Sequence, residues 1–289
     1  MTKSELRHIE NDVITLLNEV LDLVKDKRFF DYVLLLARAS YQVELEHTGV
    51  SPYVLSSQLE IHQDITRERF LVEYLNSYVS LLDEDVIMAD DVKEFNLNIQ
   101  MMIYSMIWES HILLKYLLRI GGILSGEPYL WKIDFESVNR KGRIVPCSKC
   151  KIIEDQILKS LKSSCPDLET FIRENYDHQL RNNFAHALYD IRIDYNAIVF
   201  WESDRFMEKK RIGINDWERI FLNSVFLSYH LPRLIKGRSN SFMIDYPDIN
   251  EVVIDWPLHY NPGKILPIAI YPQKVQNEVE FSFHAPVAK

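Results

Sequence analysis

The feature that most constrains this fold is a helical period in the apolar residues, which starts almost at once and recurs through most of the chain. Ile9, Val13, Leu16, Leu17, Val20, Leu21 and Val24 return every three to four residues, so they line one face of a helix, with Ser4 as its expected N-cap. The same period predicts helices over Phe29 to Glu46, ended by Gly49 and Pro52, and over Thr66 to Leu82, where Phe70, Leu71, Tyr74, Leu75, Tyr78 and Leu81 form the apolar side. An acidic stretch, Asp83 to Asp91, marks a boundary before a long helix from Asp91 to Leu124 that runs out at Gly121, Gly122 and Gly126. Further helices are expected over Ile152 to Leu161 and Pro166 to Leu188.

Beyond Tyr189 the period changes. IRIDY and AIVFW, split at Asn196, alternate as a hairpin does, and RIGI at Arg211 to Ile214 extends it. Asn215 followed by Glu218 signals another helix start; Trp217, Ile220, Phe221, Val225, Phe226 and Leu231 are its buried side, and Pro232 and Gly237 are expected to close it. The runs EVVIDW, ILPIAIY and VEFSF then read as short strands. The expected fold is mainly α, with an N-terminal helical region over 1–90, a helical bundle with a β-hairpin insertion over 91–240, and a small β-rich extension over 241–289.

At 289 residues and 47% hydrophobic content, the chain can bury a substantial core. Its polar opening, MTKSELRHIEND, does not read as a signal peptide. The most apolar run, Ile99 to Leu124, is interrupted by Glu109, His111, Lys115 and Arg119, which a bilayer core disfavours. A soluble cytoplasmic protein is expected. The net charge of −9 argues against general coating of nucleic acid, although Arg140, Lys141, Arg143, Lys149, Lys151, Lys159 and Lys162 form a local basic run. Of the three cysteines, Cys147 and Cys150 form a C-x-x-C, but neither a second such pair nor a closely spaced His pair completes a zinc site, and His178 stands at an irregular spacing. Reduced thiols and no metal or cofactor are the expectation. Neither a phosphate-binding glycine loop nor a serine nucleophile motif is present.

Residues 176–191, YDHQLRNNFAHALYDI, carry the chemistry. Wound as one helix, they place His178, Arg181, Asn182, Ala185, His186 and Tyr189 within an arc of about 140°, opposite Leu180, Phe184, Ala187, Leu188 and Ile191. A histidine can move protons near neutral pH, and an arginine can clamp a phosphate through two donors. Asn182, one turn before His186, can orient the imidazole or donate to a phosphate oxygen. The alternative is a surface helix in which Asp177 pairs with Arg181 one turn on.

The segment R-N-N-F-A-H, Arg181 to His186, resembles the motif of the HEPN superfamily, in which an arginine, an adjacent polar residue and a downstream histidine line a cleft on a helical bundle. The resemblance covers at most 95–240. It implies a metal-independent endoribonuclease of toxin–antitoxin, phage-defence or RNA-processing type, acting on RNA as a homodimer or higher homo-oligomer and open to control by a regulatory protein partner. His186 would be the acid/base, Arg181 the phosphate clamp and Asn182 the orienting residue, with Glu109, His178, Asp177 and Tyr189 as support. The alternative is a non-catalytic HEPN-like helical protein that binds a partner protein or a nucleotide.

Overall fold

The computed structural model describes residues 1–55, 62–81, 89–138, 144–202, 208–258 and 263–283. Most of Asp83 to Asp91, and Arg140, Lys141 and Arg143 of the basic run, lie outside them. The chain is mainly α. Helix α1 (Lys3–Lys27) is started by Thr2 and not Ser4, through a capping box in which the Thr2 hydroxyl accepts from the Glu5 amide and the Glu5 carboxylate accepts from the Thr2 amide. Its buried stripe, Leu6, Val13, Leu17, Val20, Leu21 and Val24, is the expected one.

Helix α2 (Phe29–Leu36) stops ten residues earlier than its apolar pattern suggests. Arg38 turns left-handed at φ 51°, and the chain then leaves to pair β1 (Ser40–Tyr41) with β2 (Tyr53–Val54). Helix α3 (His62–Leu81) agrees with the pattern to within a turn. The long helix expected over Asp91 to Leu124 is two: α4 (Asp90–Trp108) and α5 (His111–Ser125). Ser110 restarts the helix by accepting from the Leu113 amide at 3.3 Å, and Gly126, at φ 90°, supplies the left-handed stop.

After the strand pair β3 (Glu136–Val138) and β4 (Ile144–Pro146), a helical segment runs over 149–161. Its ends are α6 (Lys149–Lys151) and α7 (Lys159–Leu161), and its middle, Ile152–Leu158, is π-helical. Helices α8 (Pro166–Asn175) and α9 (His178–Ala185) follow. The antiparallel sheet of β5 (Tyr189–Arg192), β6 (Ala197–Trp201) and β7 (Glu208–Gly213) is the expected hairpin with its third strand, and Asn196 makes the turn at φ 47°.

Helix α10 (Ile214–Asp245) differs most from the sequence signals. It starts at Gly213 with no side-chain cap, and it continues through Pro232 and Gly237. A helix-interior proline costs about 3 kcal/mol, but Ile235 and Phe242 beyond it are fully buried, and each is worth about 1.5–3 kcal/mol. Tertiary burial overrides the local break. The last three strands, β8 (Val252–Pro257), β9 (Ile265–Val275) and β10 (Glu278–Phe283), form an antiparallel sheet in the order β10-β9-β8. Val252, Ile254 and Trp256 alternate inward along β8, and Phe281 meets Phe242 of α10 at 5.3 Å. The buried core is continuous from Leu6 to Phe281. Among the described residues, no helix is long and apolar enough to cross a membrane.

Candidate functional site

The helix expected over Pro166 to Leu188 breaks at Tyr176 and Asp177, so the motif sits on the eight-residue helix α9. The break is fixed from outside the segment. The buried Tyr104 hydroxyl donates to the Asn175 carbonyl at 3.1 Å and accepts from the Asp177 amide at 3.0 Å, satisfying both sides of the interruption. Asp177 then caps α9, its carboxylate accepting from the Gln179 and Leu180 amides at 2.7 and 3.2 Å. Burial works to raise the Asp177 pKa, but the Lys210 ammonium from β7 and these amide bonds outweigh it and hold the carboxyl below its ordinary range. Asp177 therefore pairs with Lys210 and leaves Arg181 to another partner.

That partner is Glu109, at the C-terminal end of α4. Its Oε1 lies 2.5 Å from Arg181 Nη1, an ion pair without the alignment of a hydrogen bond. The half-buried Arg181 also points Nη2 at Asn182 Oδ1, 3.4 Å away. Asn182 and His186 are exposed. His186 is the C-cap of α9, its amide donating to the Asn182 carbonyl at 3.0 Å, and Ala187 leaves the helix left-handed at φ 52°. Opposite, Phe184 is half-buried against the rings of Tyr104, Tyr189, Phe200 and Trp217.

Two assignments to the motif face need correction. Tyr189 lies in β5, past the end of the helix, and its hydroxyl bonds Asn98 of α4 at 2.5 Å. His178 turns toward the 149–161 segment, where its Nδ1 lies 3.2 Å from Glu154 Oε1. Leu188 is half-buried beyond the helix, and Ala187 is exposed.

The structure adds residues that the motif did not single out. Lys149, counted in the sequence only as part of the basic run, is half-buried beside Glu109 and Arg181; burial lowers its pKa, while the Glu109 charge opposes that shift. Its ammonium lies 4.0 Å from the Phe135 ring centroid, and Phe135 stacks on His111 at 4.7 Å. Cys150 stands next to it, its thiol pushed up by burial and by the neighbouring Glu154 carboxylate. Among the described residues, the group of His, Cys and carboxylate side chains close enough to share an ion is Cys150, Glu154 and His178, whose ligand atoms all lie within 4.8 Å of one another. The sequence signal for it is the one-turn spacing of Cys150 and Glu154, which only the fold joins to His178.

No family model matches this chain, and neither a curated protein nor a solved structure matches it.

Proposed function

We propose that this protein is a HEPN-type endoribonuclease that cuts RNA without using a metal in the chemical step. The observation that carries the reading is the Glu109–Arg181 ion pair: an acidic residue from an earlier helix orients the motif arginine, with His186 exposed at the other end of the same short helix. Glu109 occupies one edge of the guanidinium and leaves other N–H donors for a phosphate.

In this mechanism His186 takes the proton from a ribose 2′-hydroxyl. The 2′-oxygen attacks phosphorus, the P–O5′ bond breaks, and a proton from imidazolium goes to the departing 5′-oxygen. The products are a 2′,3′-cyclic phosphate and a 5′-hydroxyl. Arg181 stabilises the charge that builds on the phosphoryl oxygens, and Asn182 orients the imidazole or donates to the phosphate. A homodimer that pairs two motifs across a two-fold axis would double the cationic surface, and sedimentation at micromolar concentration tests for it.

The rival reading is a non-catalytic protein that binds a partner protein or a nucleotide, and the same ion pair favours it, because Glu109 neutralises Arg181 at rest. An RNA-cleavage assay in excess EDTA separates the two. Cleavage should persist in wild type and fall about a hundredfold or more in both His186→Ala and Arg181→Ala, with the fold checked by circular dichroism. Folded variants that cut as fast as wild type would refute these roles, and a wild type inert toward diverse RNAs would favour the binder.

A further inference from the structure

We infer that Cys150, Glu154 and His178 form a binding site for a zinc-like divalent ion, tying the 149–161 helical segment to the first residue of α9. The site is separate from the proposed RNA chemistry and stands whether or not the chain cuts RNA.

The ligand set is the first argument. Thiolate sulfur, imidazole nitrogen and carboxylate oxygen suit zinc, whereas magnesium and calcium prefer oxygen alone. With metal–ligand bonds of about 2.0–2.3 Å, tetrahedral ligand atoms sit roughly 3.5 Å apart. Glu154 Oε1 and His178 Nδ1 are already 3.2 Å apart, and all the ligand atoms lie within 4.8 Å. Closing the remainder takes a movement of about 1 Å, within the reach of side-chain rotation, and the side chains of His178 and Glu154 are 40% and 46% exposed. The same exposure gives an ion its way in.

The backbone supports the set. Cys150 and Glu154 are one turn apart on a continuous helical segment that becomes π-helical at Ile152, a distortion that recurs at functional sites. His178 is the first residue of α9, directly after the Asp177 cap, so its backbone is fixed independently of any ion. Three protein ligands leave a fourth tetrahedral position for water.

The second, independent observation is Tyr176. The residue is 6% exposed, and its hydroxyl, which makes no hydrogen bond to nitrogen or oxygen, is set against the Cys150 sulfur. A neutral thiol is only a weak acceptor for a buried hydroxyl. When Cys150 ligates an ion, its S–H bond breaks, an S–metal bond forms and the proton leaves to solvent. The resulting thiolate is a stronger acceptor than the thiol for the Tyr176 O–H, so ion binding strengthens this contact.

Cobalt(II) titrated into the reduced, metal-free full-length chain reads this out. The expected result is one equivalent bound with a sulfur-to-cobalt charge-transfer band, displaced by zinc. The band should vanish in Cys150→Ser and survive in Cys165→Ser, and His178→Ala and Glu154→Gln should each weaken binding by more than about tenfold. No charge-transfer band in wild type would overturn the site, as would a band that survives Cys150→Ser. If Cys150→Ser fails to fold, the two other ligand variants decide: cobalt affinity unchanged in both overturns the proposal.

Discussion

Replacing Asp177 by alanine tests whether one carboxylate creates the short helix that carries the motif. The substitution removes the cap bonds to the Gln179 and Leu180 amides and the ion pair with Lys210. Loss of an N-cap costs about 1 kcal/mol, within a range of roughly 0.5–2. The Lys210 pair, with side chains 42% and 29% exposed, is screened by solvent and adds about 0.2–1 kcal/mol. The expected loss is about 1–2 kcal/mol by equilibrium denaturation at neutral pH. Asp177→Asn keeps a capping acceptor and loses only the charge, so it should cost less than about 1 kcal/mol. Lys210→Met in wild-type and Asp177→Asn backgrounds closes a double-mutant cycle that isolates the pair.

The pH dependence has a definite sign. The folded-state pKa of Asp177 is held below its unfolded value, so its contribution is complete above the unfolded value and disappears as pH falls through the folded one. Asp177→Asn should therefore flatten the acid limb of the stability curve. A loss below about 0.5 kcal/mol in Asp177→Ala, the level of an ordinary surface change, would mean that the Tyr104 clamp alone breaks the helix and that the capping argument is wrong.

Three further outcomes are expected. A Cβ at Gly121 would lie 2.3 Å from Ser160 Oγ, which itself donates to the Ile157 carbonyl at 2.8 Å, so Gly121→Ala should cost about 1–2 kcal/mol of overpacking and Ser160→Ala should recover most of it. Phe184→Ala should destabilise by about 3 kcal/mol, near the lower end for an aromatic deletion because the ring is half-buried. Burial lowers the His230 pKa, with Glu10 opposing, so its contribution holds above the unfolded value near about 6.5 and disappears as pH falls through the folded one. His230→Gln should reduce the stability lost between about pH 7 and pH 5, and an unchanged slope would show that His230 does not carry the effect.

Local period and turn chemistry made much of the fold legible. The buried stripe of α1, the alternation of β8 and the turn at Asn196 all follow from residues adjacent in sequence. The misreadings came where a distant group decided a local outcome. Nothing between Pro166 and Leu188 announces that Tyr104, some seventy residues earlier, will bond both sides of the break at Asp177. Pro232 reads as a stop until the burial of Ile235 and Phe242 beyond it is weighed against it. Arg181, Asn182 and His186 were visible as a helical face because α9 obeys the period, whereas Tyr189 failed because the face was extrapolated beyond Ala187. The meeting of Glu109 with Arg181 depends on how α4 ends against α9, and that of His178 with Cys150 and Glu154 on how α9 docks on the 149–161 segment. Pairings of this kind belong to packing, which spacing along one chain does not encode.

The charge around the motif leads to a last prediction. A chain of net charge −9 holds single-stranded RNA only through local cations; among the described residues, Lys149 stands beside Arg181 and Lys210 pairs with Asp177, the cap of the same helix. Each is already offset: Arg181 by Glu109, Lys210 by Asp177, and Lys149 by the Glu109 field. For single strands, the logarithm of the binding constant falls with the logarithm of salt concentration by about 0.7 per phosphate neutralised, so three cations set a slope of about −2 and a two-fold pair of sites about −4. Binding of the His186→Ala variant to a single-stranded RNA across a salt series measures this without turnover. Adding Arg181→Ala should weaken binding and make the slope shallower by about 0.7 per copy of the site. A slope near zero with binding retained would mean that phosphates are not what the protein grips, and a slope unchanged by Arg181→Ala would remove the arginine from the contact and with it the phosphate-clamp role on which the ribonuclease reading depends.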